Sequence, residues 1–168
     1  MTSTKYELSN RIEWIDKEGR LHRVDGPAKE FNDGSKQWWL AGKRHREGGP
    51  SVEYVDGGTE WWLEGELHRE DGPAINRSHG HKEWWVAGKR HRIDGPAVEW
   101  CNGAKEWWQS GYLHRIDGPA LELINGDKYW YKKGRYFSSK EEWFKALTKG
   151  EKLNYLFNME KSNDFKKV

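Results

Sequence analysis

Five His-Arg dipeptides, His22-Arg23, His45-Arg46, His68-Arg69, His91-Arg92 and His114-Arg115, recur at a constant interval of 23 residues. A ladder of imidazole and guanidinium groups at regular spacing suits phosphates or an acidic partner surface, because an Arg fork holds such groups through two parallel hydrogen bonds. The same residues have an internal outlet. Glu30, Glu53, Glu99 and Glu122, and the Asp of each Asp-Gly-Pro, are placed to pair with them across adjacent strands. With 29 basic against 27 acidic residues, the balance leans towards internal pairing, and both readings stay open.

Other candidate chemistry is sparse. His79-Gly80-His81 sets two imidazoles on a turn, but no Cys or second His pair completes a metal-ligand set. Cys101 has no thiol partner, and no single His or Asn outside the array is there to activate it. Nucleophile elbows, phosphate loops and isolated carboxylate pairs do not occur. Each conspicuous polar residue is present in several equivalent copies, so an asymmetric active site has little from which to be built. The expectation is a non-enzyme with no cofactor, no catalytic residue and no metal.

The elements that position these residues form an array. A copy reads Gly-x-x-His-Arg-x-Asp-Gly-Pro-Ala-x-Glu, then an Asn/Asp-Gly turn, then Trp-Trp. A fixed period of this length marks repeat architectures, in which a unit buries its apolar face only against its neighbours. Asn/Asp-Gly between short strand-like runs signals a hairpin with a type I′ turn. A second reversal falls at Gly42, Gly65, Gly88, Gly111 and Gly134, which gives two strands per copy. Gly-Pro interrupts ladder bonding and kinks every second strand.

Successive strand residues face opposite ways, so each Trp-Trp pair splits between the two faces. The first members, Trp38, Trp61, Trp84, Trp107 and Trp130, share a face with Leu40, Leu63 and Val86 and read as core. The second members, Trp39, Trp62, Trp85, Trp108 and Tyr131, lie among Gln37, Glu60, Glu83 and Glu106. That aromatic row reads either as a contact surface or as rings that cover the sheet by stacking on Lys and Arg stems.

The expected fold is mostly β: an elongated curved antiparallel meander of five 23-residue repeats, two strands each, with a short C-terminal helical cap. Residues 1–18 read as a partial leading repeat with Trp14 near the Trp phase, 19–137 as the array, 138–160 as the helical cap and 161–168 as a flexible basic tail. Ser138-Ser139-Lys140-Glu141-Glu142 offers an N-cap with Glu three residues later, a capping-box pattern, Gly150 reads as a helix breaker, and Leu153, Leu156, Phe157 and Met159 suggest a second helix. The helical pair closes the last strand or dimerises, so the chain is expected to be a monomer or a homodimer.

Bulk properties narrow the class. A mean hydropathy of −1.12 with 33% charged residues would ordinarily point to disorder, but 12 tryptophans at fixed phase supply an aromatic core. The formal charge of +2 gives no field for non-specific nucleic-acid binding. A single Cys excludes an internal disulfide framework, and no stretch is apolar enough for a signal peptide or a membrane span. The expected location is the cytoplasm, that of the host if the chain is viral.

Trp39-Leu40-Ala41-Gly42-Lys43-Arg44-His45 and Trp85-Val86-Ala87-Gly88-Lys89-Arg90-His91 resemble the Trp-x-x-Gly-Lys-x-His core of MORN repeats, and the array is similar to the repeats of YwqK-type antitoxins over about residues 14–137. The dense His-Arg-x-Asp-Gly-Pro-Ala pattern also resembles proteins of phages and large viruses. MORN units follow the His with Gly-x-Gly where this chain has Arg and then Asp-Gly-Pro, so no family ligand carries over. The resemblance implies a hairpin array that mediates protein contacts or dimerisation, with lipid binding proposed for some members. The leading expectation is a protein-binding module, with the viral and antitoxin resemblances implying an inhibitor of a host defence factor or toxin. The alternative is a sponge for a nucleotide or other phosphorylated small molecule, with indoles stacking on the base and Arg holding phosphate. Peripheral membrane binding ranks lower because the basic patch for anionic lipid is missing.

Overall fold

The structure, a computed structural model, describes residues 2–164. Of the expected basic tail, 165–168 lie outside the described residues. The chain falls into two compact units, Met1–Lys89 and Arg90–Val168.

In the first unit an antiparallel meander runs through strands Thr4–Glu7, Arg11–Ile15, Lys29–Phe31, Lys36–Gln37, Val52–Glu53, Thr59–Glu60, Ile75–Asn76 and Lys82–Glu83, each paired with the next. The second unit repeats the pattern with Val98–Glu99, Lys105–Glu106, Leu121–Glu122, Lys128–Lys132 and Arg135–Phe137. The fold is therefore mostly β and antiparallel. Each strand expected in a copy is divided. In the second copy Lys43–Arg44 is separated from Val52–Glu53, and Thr59–Glu60 from Trp62–Leu63. The inner pieces build the meander, while the outer pieces form two-stranded hairpins such as Trp39–Leu40 with Lys43–Arg44 and Trp108–Gln109 with Tyr112–Leu113. Proline causes the first break, having no N–H to donate. At the second, Trp61 N–H reaches Ala74 O at 2.7 Å while Trp61 O takes the His68 N–H at 3.1 Å, so the backbone stays bonded as it turns between the sheets.

The Asn/Asp-Gly reversals are not the type I′ turns expected of them, and type I′ geometry lies at the second reversal instead. Gly34, Gly57, Gly80, Gly103 and Gly126 have positive φ, but the residues before them do not. Gly34 N–H donates to Phe31 O at 3.0 Å and Phe31 N–H to Ser35 O at 2.9 Å, the pattern of a type I turn closed by a glycine bulge. The Asx side chains favour it: Asp33, Asp56, Asn102 and Asn125 each accept the backbone N–H two residues on. The type I′ turn lies at Ala41-Gly42, with φ of 47° and 81°, and recurs at Glu64, Ser110 and Lys133 with their glycines.

Trp14 occupies the first-Trp place with one extra residue behind it. Its N–H donates to Ala28 O and its carbonyl accepts from His22 N–H, and the longer loop is tied by buried Asp16, which accepts from the backbone of Glu18 and Arg20 and from the Arg20 guanidinium.

The core is thin. The residue after each Pro (Ala28, Ser51, Ala74, Ala97, Ala120) is fully buried, as are Val52 and Val98. In the second unit Phe137, Trp143, Leu147 and Tyr155 form a cluster against Ile116, Trp130 and Phe144. It is built by α1 (Lys140–Lys145) and α2 (Lys149–Asp164). Ser139 caps α1 by accepting the Glu142 N–H, while Glu142 reaches back to Ser138. Gly150 does not break the helices but lies in the first turn of α2. The break precedes it, at Thr148, which caps α2 with Glu151 in a reciprocal capping box. Among the described residues no helix is long and apolar enough to cross a membrane.

Candidate functional site: the His-Arg loops and the grooves beside them

All five imidazoles of the His-Arg row do the same task. Nδ1 of His22, His45, His68, His91 and His114 accepts the backbone N–H of Ala41, Glu64, Ala87, Ser110 and Lys133 at 2.9–3.2 Å. Those are the left-handed residues of the type I′ turns. An L residue with positive φ costs about 1–2 kcal/mol, and the imidazole offsets this by satisfying the amide. Each His is therefore the neutral tautomer with its proton on Nε2. At His114 burial drives the pKa below its ordinary value, Glu151 pulls the other way, and Lys132 and Lys133 reinforce the depression. At His45 the Glu64 Oε1 also lies 2.8 Å from the same Nδ1.

The guanidiniums are equally engaged. Arg23, Arg46, Arg69 and Arg115 lie flat over Trp14, Trp38, Trp61 and Trp107, 3.8–4.0 Å from the ring centroids. Their Nη1 atoms donate to the carbonyl of the Pro four residues on. Arg92 makes the same bond to Pro96. Glu30, Glu53, Glu99 and Glu122 take a further bond from Arg23, Arg46, Arg92 and Arg115. Asp25, Asp71 and Asp94 receive the Arg Nε, and that hydrogen bond holds their carboxyls below the usual aspartate value. The face of the guanidinium away from the Trp meets the Gly of Gly-Pro. A β-carbon at Gly26, Gly72, Gly95 or Gly118 would stand 2.7–2.9 Å from the Arg Cζ. Thus the Arg is a plate between an indole and a glycine.

The second aromatic row is anchored from beneath. Trp39, Trp62, Trp85 and Trp108 donate their indole N–H to Gln37, Glu60, Glu83 and Glu106, two residues earlier on the same face. Arg44 stands between Trp39 and Trp62, 5.3 and 5.0 Å from their centroids, and Arg90 covers Trp108 at 5.3 Å. Leu67 and Leu113 pair with Trp62 and Trp108 where Arg44 pairs with Trp39, so the residue before the His is an aliphatic or a cationic neighbour of this row. Tyr131 packs on Tyr136. Glu60 is the most engaged carboxylate of this face. Burial opposes its ionisation, but bonds from Trp62 and Tyr54 and the charges of Arg77 and Arg44 prevail and lower its pKa. In the divergent third copy His81 bonds Glu83 at 2.8 Å and stacks on His79. Among the described residues no three potential ligands converge as a metal would require.

Beside the loops lies a recurring groove. A cavity of about 490 Å³ is walled by Val24 and Asp25 of one loop, Trp38 and Leu40, and Arg46 and Glu47 of the next loop. Its counterpart of about 330 Å³ is lined by Glu47, Trp61, Leu63 and Glu70, and a third of about 480 Å³ by Ile93, Trp107, Gln109 and Ile116. Val24 and Ile93, at the x of His-Arg-x-Asp, are 75% and 80% exposed.

No family model matches this sequence, and no curated protein is significantly similar to it. The geometry alone therefore carries the functional argument. The sequence pointed to both polar rows but missed the loop tips, whose only signal is an aliphatic residue between Arg and Asp in the first, fourth and fifth copies.

Proposed function

We propose that this chain is a non-enzymatic β-repeat protein that binds another protein through the grooves between its His-Arg-x-Asp-Gly-Pro loops. The observation that carries this reading is the recurrence of one groove at equivalent places, with an indole in its wall and an exposed aliphatic tip at Val24 or Ile93. Exposed apolar residues beside acidic ones are the ordinary make-up of a protein contact. The polar groups suited to phosphate are already bonded within their own copy, which weighs against a nucleotide sponge. The resemblance to antitoxin and viral arrays extends the proposal to an inhibitory role against a toxin or host defence factor.

Site-specific photo-crosslinking tests it. A benzophenone side chain at position 24 or 93 is expected to give one discrete protein adduct in cells, abolished by Leu40→Glu for position 24, whereas the same probe at the exposed Lys17 gives none. Equal adducts from all three positions would contradict a specific surface.

A further inference from the structure

The chain carries its own example of what fills such a groove. The groove that would follow Arg115-Ile116-Asp117 has Trp130 and Lys132 where the first has Trp38 and Leu40. The C-terminal helices occupy it. Trp143 of α1 is fully buried, packs on Trp130 with ring centroids 4.5 Å apart and planes tilted by 48°, and donates its indole N–H to Arg115 O. Leu147 and Tyr155 complete the filling against Ile116. No Arg follows Phe137, the residue in the His place of this copy, and Trp143 covers Trp130 where a guanidinium covers the equivalent Trp elsewhere. Lys132 anchors α2 by a 2.7 Å bond to Glu151.

We infer that the open groove at Val24, Trp38 and Leu40 takes a helical segment of a protein partner, one that presents aromatic residues and a leucine as α1, α2 and the link between them do with Trp143, Tyr155 and Leu147, and that is basic where α2 has Glu151. This rests on the protein-binding reading above and names its partner class. Two observations fix the chemistry. The apolar wall matches the one already covered by helices, with Val24 exposed where Ile116 is half-buried by them. The charge differs: the neutral Leu40 replaces the cationic anchor Lys132, Asp25 is paired with Arg23 as Asp117 is with Arg115, and the rim adds Glu47, whose side chain is 89% exposed. With the lysine gone and Glu47 at the rim, a cationic group on the partner is favoured over an acidic one. Helix-in-groove recognition of this kind is read through apolar anchors one turn apart.

The test uses a labelled peptide of residues 138–160 and its Glu151→Lys form, titrated into the full-length protein and followed by fluorescence polarisation. The Glu151→Lys peptide is expected to bind several-fold more tightly than the parent. The pair Val24→Glu and Leu40→Glu in the protein is expected to weaken it by about tenfold or more, the scale of a lost apolar anchor. Circular dichroism of that variant establishes that it is folded. Absence of binding, or binding indifferent to the two substitutions, would overturn the inference, as would concentration-dependent self-association abolished by Val24→Glu, which would make a second copy the occupant. If the peptide fails while the crosslink from position 24 persists, the helix is wrong and the protein-binding reading stands; if both fail, the reading itself falls.

Discussion

At Gly72 a β-carbon would stand 2.9 Å from the Arg69 guanidinium carbon, which on its other face lies 4.0 Å from the Trp61 centroid. The motif is thus read residue by residue: His for the turn amide, Arg for the plate, Asp for its Nε, Gly for clearance, Pro for a carbonyl acceptor, and Ala for the buried place behind it. Gly72→Ala must push Arg69 off its ring and is expected to destabilise the protein by about 1–3 kcal/mol, as overpacking does. Gly150→Ala, in a helical first turn with nothing within 4 Å of the new carbon, is expected to stabilise by up to about 1 kcal/mol; urea denaturation compares the two. The imidazoles add a pH dependence. His114 is neutral in the folded protein with its pKa below the ordinary 6.5, so in the window between those values the unfolded chain binds more protons. Stability is then full above about pH 6.5 and falls as pH drops through the depressed value. The Arg90–Val168 unit is expected to lose stability as pH drops below about 6.5, more gently in His114→Asn, whose amide oxygen still accepts the Lys133 N–H. Most of this was open to inspection in the sequence as a period and a list of residue types. What it did not carry was the Nδ1 bond to a residue 19 positions on, because that contact depends on how one copy stacks upon the next.

At the level of elements, local patterns were legible where they act alone and misleading where a neighbour intervenes. Antiparallel strands, the second reversal and the Ser139 cap follow from periodicity, glycine placement and a capping signature. The Asn/Asp-Gly pairs suggested type I′ turns, but their own side chains bond the next backbone N–H and select a type I turn with a bulge. Ala41 and its equivalents gave no such signal because the strain at positive φ is relieved by a distant His. Ala41→Asn is expected to stabilise by about 1 kcal/mol, since Asn tolerates the left-handed region and keeps the N–H that His22 receives; thermal denaturation with wild type as reference measures it. Likewise Gly150 drew attention from Thr148-x-x-Glu151, the box that starts α2. Glu151 is held there at a pKa of about 2: burial opposes its ionisation, while bonds from Lys132 and Thr148 dominate.

For the whole molecule, the two polar rows are bonded within the array, and the surface we propose lies at the loop tips and the grooves beside them. There the aliphatic side chains of Val24 and Ile93 stand out from the repeat beside a groove, while the exposed Val55 and Ile124 sit at the tips of the Asp/Asn-Gly hairpins. Repeats suit this division, since the bonds that hold a copy together are the same everywhere and the x position is free to vary from Val24 and Ile93 to Glu47 and Glu70. The sequence alone put the aromatic row and the His-Arg row forward because regularity is what a sequence displays; exposure is what it hides. The most direct test of binding through these tips is native mass spectrometry of the protein recovered gently from cells that produce it, wild type beside Val24→Glu with Ile93→Glu. The account predicts a stoichiometric protein companion on the wild type that is absent from the double variant. A bound small molecule with no protein, or a companion that the double variant retains, would contradict it.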